Sequence, residues 1–131
     1  MKEKILIKNP FTDCGFKKSA DVEKFAAAWV SDNIRGGSEF GKVCADLLSS
    51  VMVFMYEDLD ETSQDWALVS SFINLSNITF QDGDNFLDRT LSRCNNKTVK
   101  SHYIDFLTAP KADRLKACKA VSEKITKMGG V

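Results

Sequence analysis

The feature that most constrains this chain is a long apolar stripe in residues 38–58. Apolar side chains recur there every three or four residues, which is the spacing of one face of an α-helix. Ser38 can cap the start of this helix, and Glu39 suits its positively polarised first turn. Because Met52 and Val53 widen the stripe, we expect this to be the central helix of the fold. The stripe comprises Phe40, Val43, Cys44, Leu47, Leu48, Val51, Phe54 and Met55.

Five further segments show a helical spacing of apolar residues. The first begins near Ser19, which can cap it, and ends before Gly36-Gly37, a pair that commonly terminates a helix. We place the others at residues 62–75, 84–94, 99–108 and 113–128, with a loop at residues 76–85. The large side chains that we expect to be mostly buried are Phe25, Trp29, Phe40, Leu47, Leu48, Val51, Phe54, Trp66, Ile73, Leu91, Tyr103 and Phe106.

The first 18 residues have a different pattern. Ile5, Leu6 and Ile7 are typical of a short β-strand, and the Asn-Pro and Asp-Cys-Gly stretches that follow break it. A lone strand cannot satisfy its own backbone hydrogen bonds, so we expect its partners to lie outside this chain. The sequence therefore predicts an all-α domain at residues 19–131, a bundle of about six helices, after a short extended or β segment at residues 1–18.

Composition favours an ordinary globular domain. The chain has 131 residues, 44% of them hydrophobic, which is enough for one domain with a substantial core. Its four cysteines are far apart in sequence, so no CxxC metal or redox motif is present. No apolar run reaches the roughly 18 residues that a membrane helix needs. We expect a soluble, cytoplasmic domain with reduced cysteines and no metal or other cofactor.

Charge is distributed unevenly, although the net charge is zero. Residues 38–92 contain 10 acidic and 2 basic side chains, whereas residues 93–131 contain 3 acidic and 9 basic. Two clusters are therefore candidate partner-binding surfaces. The alternative interpretation is that both are solvated helix faces that partly neutralise each other. The acidic turn comprises Glu57, Asp58, Asp60 and Glu61, and the basic strip comprises Lys116, Lys119 and Lys127.

Residues that could support catalysis are sparse. His102 is the single histidine, and we expect it to be a surface or boundary residue turned towards solvent rather than a general base. No GxxxxGK[ST] phosphate loop is present, so the amide cradle that holds a nucleotide is missing. The residues Gly36-Gly37-Ser38 could bind an anion at a helix start, but a helix stop followed by a cap explains them equally well. We therefore expect no enzymatic activity.

Taken in order, the segments ILIKNPF (5–11), SADVEKFAAAWV (19–30) and SEFGKVCADLLSSVMVFMYED (38–58) resemble the all-α domain of type IV coupling proteins. Those proteins are the hexameric, membrane-anchored ATPases of the TraG/TraD class that serve bacterial conjugation. In that family a strand leads into an Asn-Pro-Phe/Leu turn, followed by an acidic-capped helix and a helix opened by Phe or Trp. Residues 61–75 are similar to the helix that comes next in that family. Residues 99–125 are similar to the helix pair that closes its all-α domain.

The resemblance implies that residues 1–18 lead in from a missing α/β ATPase domain. Because no phosphate loop or catalytic acidic strand is present, none of the family's ATP-handling residues carries over. The resemblance implies instead a cytoplasmic docking module that helps select cargo for transfer, without itself inserting into the membrane to which its parent is anchored. The implied partners are relaxase or relaxosome proteins, single- or double-stranded DNA, and the ATPase domain of the parent chain.

One alternative belongs to a different class: a free-standing helical DNA-binding or adaptor protein of a mobile genetic element. The third hypothesis is that the chain is an enzyme. A reading frame that stops after Val131 would favour the free-standing protein, whereas a frame that continues into sheet-like sequence would favour the domain of a coupling protein.

Overall fold

The computed structural model describes residues 9–78, 86–91 and 93–128, and every regular element within these ranges is a helix. The predicted all-α class is thereby confirmed for the described residues, whereas the predicted strand at residues 5–7 lies outside them. The elements are α1 (Pro10–Asp13), α2 (Ser19–Asn33), α3 (Gly37–Asp58), a 3-10 turn (Glu61–Ser63), α4 (Trp66–Ile78), α5 (Phe86–Leu91), α6 (Lys97–Leu107) and α7 (Lys111–Met128).

The central position predicted for the long apolar helix is confirmed. Helix α3 packs against α2, α6 and α7, while α4 packs chiefly against α7. Leu47, Leu48 and Val51 of α3 are fully buried, and so are Met52 and Val53, which widen its apolar face. A helix that is apolar on so much of its surface must be covered from several sides, which is why it lies at the centre.

Most of the side chains expected in the core are buried there. The exceptions are Phe25, Phe40 and Phe54, which are only partly buried and pack against the margin of the core. Phe40 lies in the first turn of α3, where the ammonium of Lys116 is 5.2 Å from the centre of its ring. A ring at the end of a helix can meet a cation in this way while its other face contacts the core.

The start of the described chain differs from expectation, because residues 10–13 form a helical turn rather than an extended or irregular segment. The Asn9 side chain caps this turn by accepting a hydrogen bond from the Phe11 amide at 3.2 Å, and Pro10 is well suited to a first helical position. Phe11 is only 9% exposed and belongs to the hydrophobic core. The described part of the N-terminal segment is therefore packed against the helices.

Several helix boundaries also differ from the predicted ones. Helix α4 begins at Trp66 rather than at residue 62 or 63, because the Asp65 carboxylate caps it by accepting from the Ala67 amide at 2.9 Å. It continues to Ile78, into the stretch that we expected to be a loop, and residues 79–85 lie outside the described ranges. Ser19 is the first residue of α2 and does not cap it, since its hydroxyl donates to a carboxylate of α3 instead.

Candidate functional site

The acidic turn is held in a defined conformation by the side chain of Gln64. Helix α3 ends at Asp58, and the Gln64 side-chain amide donates to the carbonyls of Tyr56 and Leu59 at 3.0 and 3.2 Å. These carbonyls are among those that a helix end leaves without partners, so Gln64 acts as a C-terminal cap for α3. The turn is therefore anchored to the end of the central helix.

All four carboxylates of the acidic turn are exposed. Within the described residues no salt bridge involves any of them, although Glu57 accepts a hydrogen bond from the hydroxyl of Ser19. Like charges gathered on one anchored turn produce a negative potential that extends into solvent. The structure thus brings together the four acids that the sequence placed in one candidate surface.

The N-terminal turn packs beside the acidic turn. The Asn9 side-chain amide donates to the Gln64 carbonyl at 2.9 Å, which ties the two turns together. Phe16 contacts Tyr56 edge to face, with 6.2 Å between the ring centres. Both aromatic side chains line a groove between the two turns. Its charged lining residues are Glu57, Glu61, Lys17 and Lys18. The acidic turn therefore borders a surface that is aromatic and that also carries two lysines.

The basic strip lies on the solvent side of α7. Lys116, Lys119 and Lys127 are exposed and point away from the buried face of that helix. Glu123 is also exposed and lies four residues after Lys119 and four before Lys127, so it falls within the strip. An acid inside the strip lowers its positive potential. Lys17 and Lys18 lower the negative potential beside the acidic turn in the same way. The acidic turn is the stronger candidate because four exposed carboxylates and an aromatic groove lie together there.

Lys116, at one end of the basic strip, lies far from the acidic turn. Lys116 lies over Phe40, at the start of α3, whereas Glu57 lies near its end. The 17-residue separation between Phe40 and Glu57 corresponds to roughly 26 Å along the axis of α3, at about 1.5 Å per residue. That distance exceeds the Debye length of about 8 Å at physiological salt, so Lys116 does not neutralise the acidic turn.

His102 occupies a site that the sequence interpretation missed. It lies at a boundary, as predicted, but its side chain is only 23% exposed and is turned towards two carboxylates rather than towards solvent. Its Nδ1 is 3.0 Å from Asp46 Oδ1 of α3, and its Nε2 is 2.5 Å from Glu23 Oε2 of α2. An imidazole can donate from both nitrogens only when it is protonated, so this geometry favours a charged His102.

The charged groups around His102 stabilise one another's ionised forms. The hydrogen bond to Asp46, followed by that to Glu23, raises the pKa of His102 against the opposing effect of burial. Burial alone would raise the pKa of Asp46, but hydrogen bonds from His102 and Lys42 outweigh it and the pKa is lowered. Lys42 Nζ lies 2.9 Å from Asp46 Oδ2 and 3.9 Å from Asp105 Oδ2. The group is a network of opposite charges joining three helices.

This network has the features of a structural centre rather than a catalytic one. Both ring nitrogens of His102 are engaged by carboxylates, which leaves neither nitrogen directed at an open cavity. Within the described ranges, no three His, Cys, Asp or Glu side chains are arranged to hold a metal ion. In the same part of the chain, no helix has the combination of length and hydropathy that crossing a membrane requires.

The fold and these surfaces define an all-helical domain with one strongly acidic, anchored turn beside an aromatic groove. Comparison of the chain with protein-family models, with curated proteins and with solved structures gave no significant match.

Proposed function

We propose that this chain is the cytoplasmic substrate-recognition domain of a type IV coupling protein, which docks a relaxase–DNA complex or protein cargo for conjugative transfer. It acts by binding rather than by catalysis and needs no cofactor. The proposal rests on the resemblance of its segments to the all-α domain of that family, and the confirmed all-helical class is compatible with it.

The docking role is inferred from the acidic turn. Its four exposed carboxylates lie on a turn that Gln64 fixes to the end of α3. A fixed cluster of like charge steers a partner of opposite charge during encounter, and aromatic surface beside it can anchor that partner once it is bound. We therefore propose a basic surface of a relaxase or another relaxosome protein as the partner of this turn.

DNA is a second candidate partner, favoured by the exposed lysines of α7. Lysines neutralise phosphates and release counterions, so binding of this kind would weaken steeply with salt. The presence of Glu123 within the strip makes us rank DNA below protein. The free-standing DNA-binding or adaptor protein of a mobile element would rely on this same surface.

Paired charge reversals distinguish the two partners. One variant changes the acidic turn to lysine at all four positions, and the other changes Lys116, Lys119 and Lys127 to glutamate. We expect the acidic-turn variant to fail to retain relaxase in a pull-down, while the strip variant retains it. In a gel shift with single- and double-stranded DNA, we expect only the strip variant to lose whatever binding the unmodified chain shows.

The strip variant also gives a quantitative prediction. If the three lysines neutralise phosphates, their reversal should reduce the slope of log affinity against log salt by roughly three, about one for each phosphate that is no longer neutralised. The acidic-turn variant is the comparison, because it keeps the three lysines of the strip and adds four more, so its salt slope should not decrease. DNA binding with an unchanged salt slope in the strip variant would show that these lysines do not contact the nucleic acid.

A further inference from the structure

The hydrogen bond between His102 and Glu23 joins two helices that otherwise have little contact. Helices α2 and α6 each pack against α3 but share little direct packing with one another. His102 of α6 contacts Asp46 of α3 with one ring nitrogen and Glu23 of α2 with the other. A single side chain therefore links α2 to α6 across the face of the central helix.

We propose that His102 is a pH-sensitive clamp, which holds α2 to α6 when its ring is protonated and releases α2 when the ring loses a proton to solvent. The proton leaves from Nε2, because Nδ1–H remains engaged with Asp46. Once Nε2 is deprotonated, its lone pair faces the Glu23 carboxylate at the position of the former hydrogen bond. Two acceptors at this distance repel each other, so the two side chains separate.

The surroundings of the ring determine which of its two hydrogen bonds breaks. Among the described residues, Glu23 from α2 and Asp46 from α3 are the ionisable groups that act on His102, and Lys42 and Asp105 form the next layer. The Asp46 side chain is 9% exposed and keeps Lys42 as a partner, whereas that of Glu23 is 35% exposed and can turn into water. Breaking the hydrogen bond to Glu23 is thus the less costly outcome.

The direction of the pH dependence follows from the pKa of His102, which is raised above its ordinary value by the hydrogen bonds to Asp46 and Glu23. A group that binds its proton more tightly in the folded state stabilises that state fully below its unfolded pKa of about 6.5. This contribution is lost as the pH rises through the folded-state pKa. Raising the pH through that folded-state pKa should therefore loosen α2, whose first residue, Ser19, donates to Glu57 of the acidic turn.

NMR of the full chain tests the clamp directly. Because the chain has one histidine, its imidazole signals need no assignment by mutagenesis. We expect the ring to titrate above about 6.5, and we expect hydrogen-exchange protection of α2, corrected for intrinsic rates, to fall over the same range of pH. By linkage, the protection can fall by up to tenfold for each pH unit by which the pKa of His102 in the closed state exceeds its pKa in the released state.

The variant Glu23→Gln provides a second test. A glutamine amide can accept from a protonated ring or donate to a neutral one, so we expect α2 protection to become independent of this titration. Asp32→Asn removes an exposed carboxylate from the same helix and should leave the behaviour unchanged. Titration of His102 at or below about 6.5, or α2 protection that does not change with its protonation, would overturn the proposal. Both results come from the unmodified chain, so the proposal stays testable if the variant does not fold.

Discussion

Replacing Trp66 with alanine is expected to lower the free energy of unfolding by about 3–5 kcal/mol. Trp66 is 3% exposed, and its ring meets those of Trp29 and Phe25 edge to face, at 5.4 and 5.9 Å between centres. Truncation removes this aromatic packing and leaves a cavity at the junction of α2 and α4. Chemical denaturation with linear extrapolation measures the loss of stability.

The variant Trp66→Phe is the matched control for this cavity. It keeps one aromatic ring in the site, so we expect a clearly smaller loss of stability than for alanine. A loss below about 1 kcal/mol in Trp66→Ala would contradict the packing described for these rings, since such small effects are typical of substitutions outside the core.

Leu48→Ala is expected to cost about 2–5 kcal/mol in the same measurement. Leu48 is fully buried in α3, the helix against which α2, α6 and α7 all pack. Surrounding helices cannot collapse fully around a missing side chain at such a position, so part of the cavity persists.

Ile104→Ala is the control for Leu48→Ala, because it also truncates a large aliphatic side chain within a helix. Ile104 is 60% exposed, so we expect its replacement to change the free energy of unfolding by less than about 0.5 kcal/mol. Equal losses in the two variants would be incompatible with α3 as the centre of the fold.

The helices could be predicted because their signals are local. The spacing of apolar residues in α3 predicted its central position and nearly its full extent, but the helix begins at Gly37, so Ser38 lies inside it and does not cap it. Gly36-Gly37 marked the end of α2. The acidic turn was equally visible, because its four residues are adjacent in sequence. Glu123 could also have been placed within the basic strip from its four-residue spacing to the lysines on either side.

Contacts between segments that are far apart in sequence could not be predicted from local patterns. Glu23 and Asp46 are 79 and 56 residues from His102, and no local pattern pairs them. One signal for His102 was present, since it lies three residues after Val99 and four before Phe106, on the buried side of α6. The Asn9-Pro10 pair was interpreted as a break, although an Asn cap followed by Pro is also a local signal for a helix start. The hydrogen bond that ties this turn to Gln64, 55 residues away, has no local signal.

Recruitment of a basic protein partner by the acidic turn should be visible in the association kinetics of purified relaxase with this domain. We expect that reversing the four acids of the acidic turn, Glu57, Asp58, Asp60 and Glu61, to lysine slows association by about tenfold or more at low salt, with a smaller effect on dissociation. This difference should shrink as salt is added, and the basic-strip variant should associate at the unmodified rate. Absence of relaxase binding, or equal association rates for the unmodified chain and the acidic-turn variant, would contradict the claim.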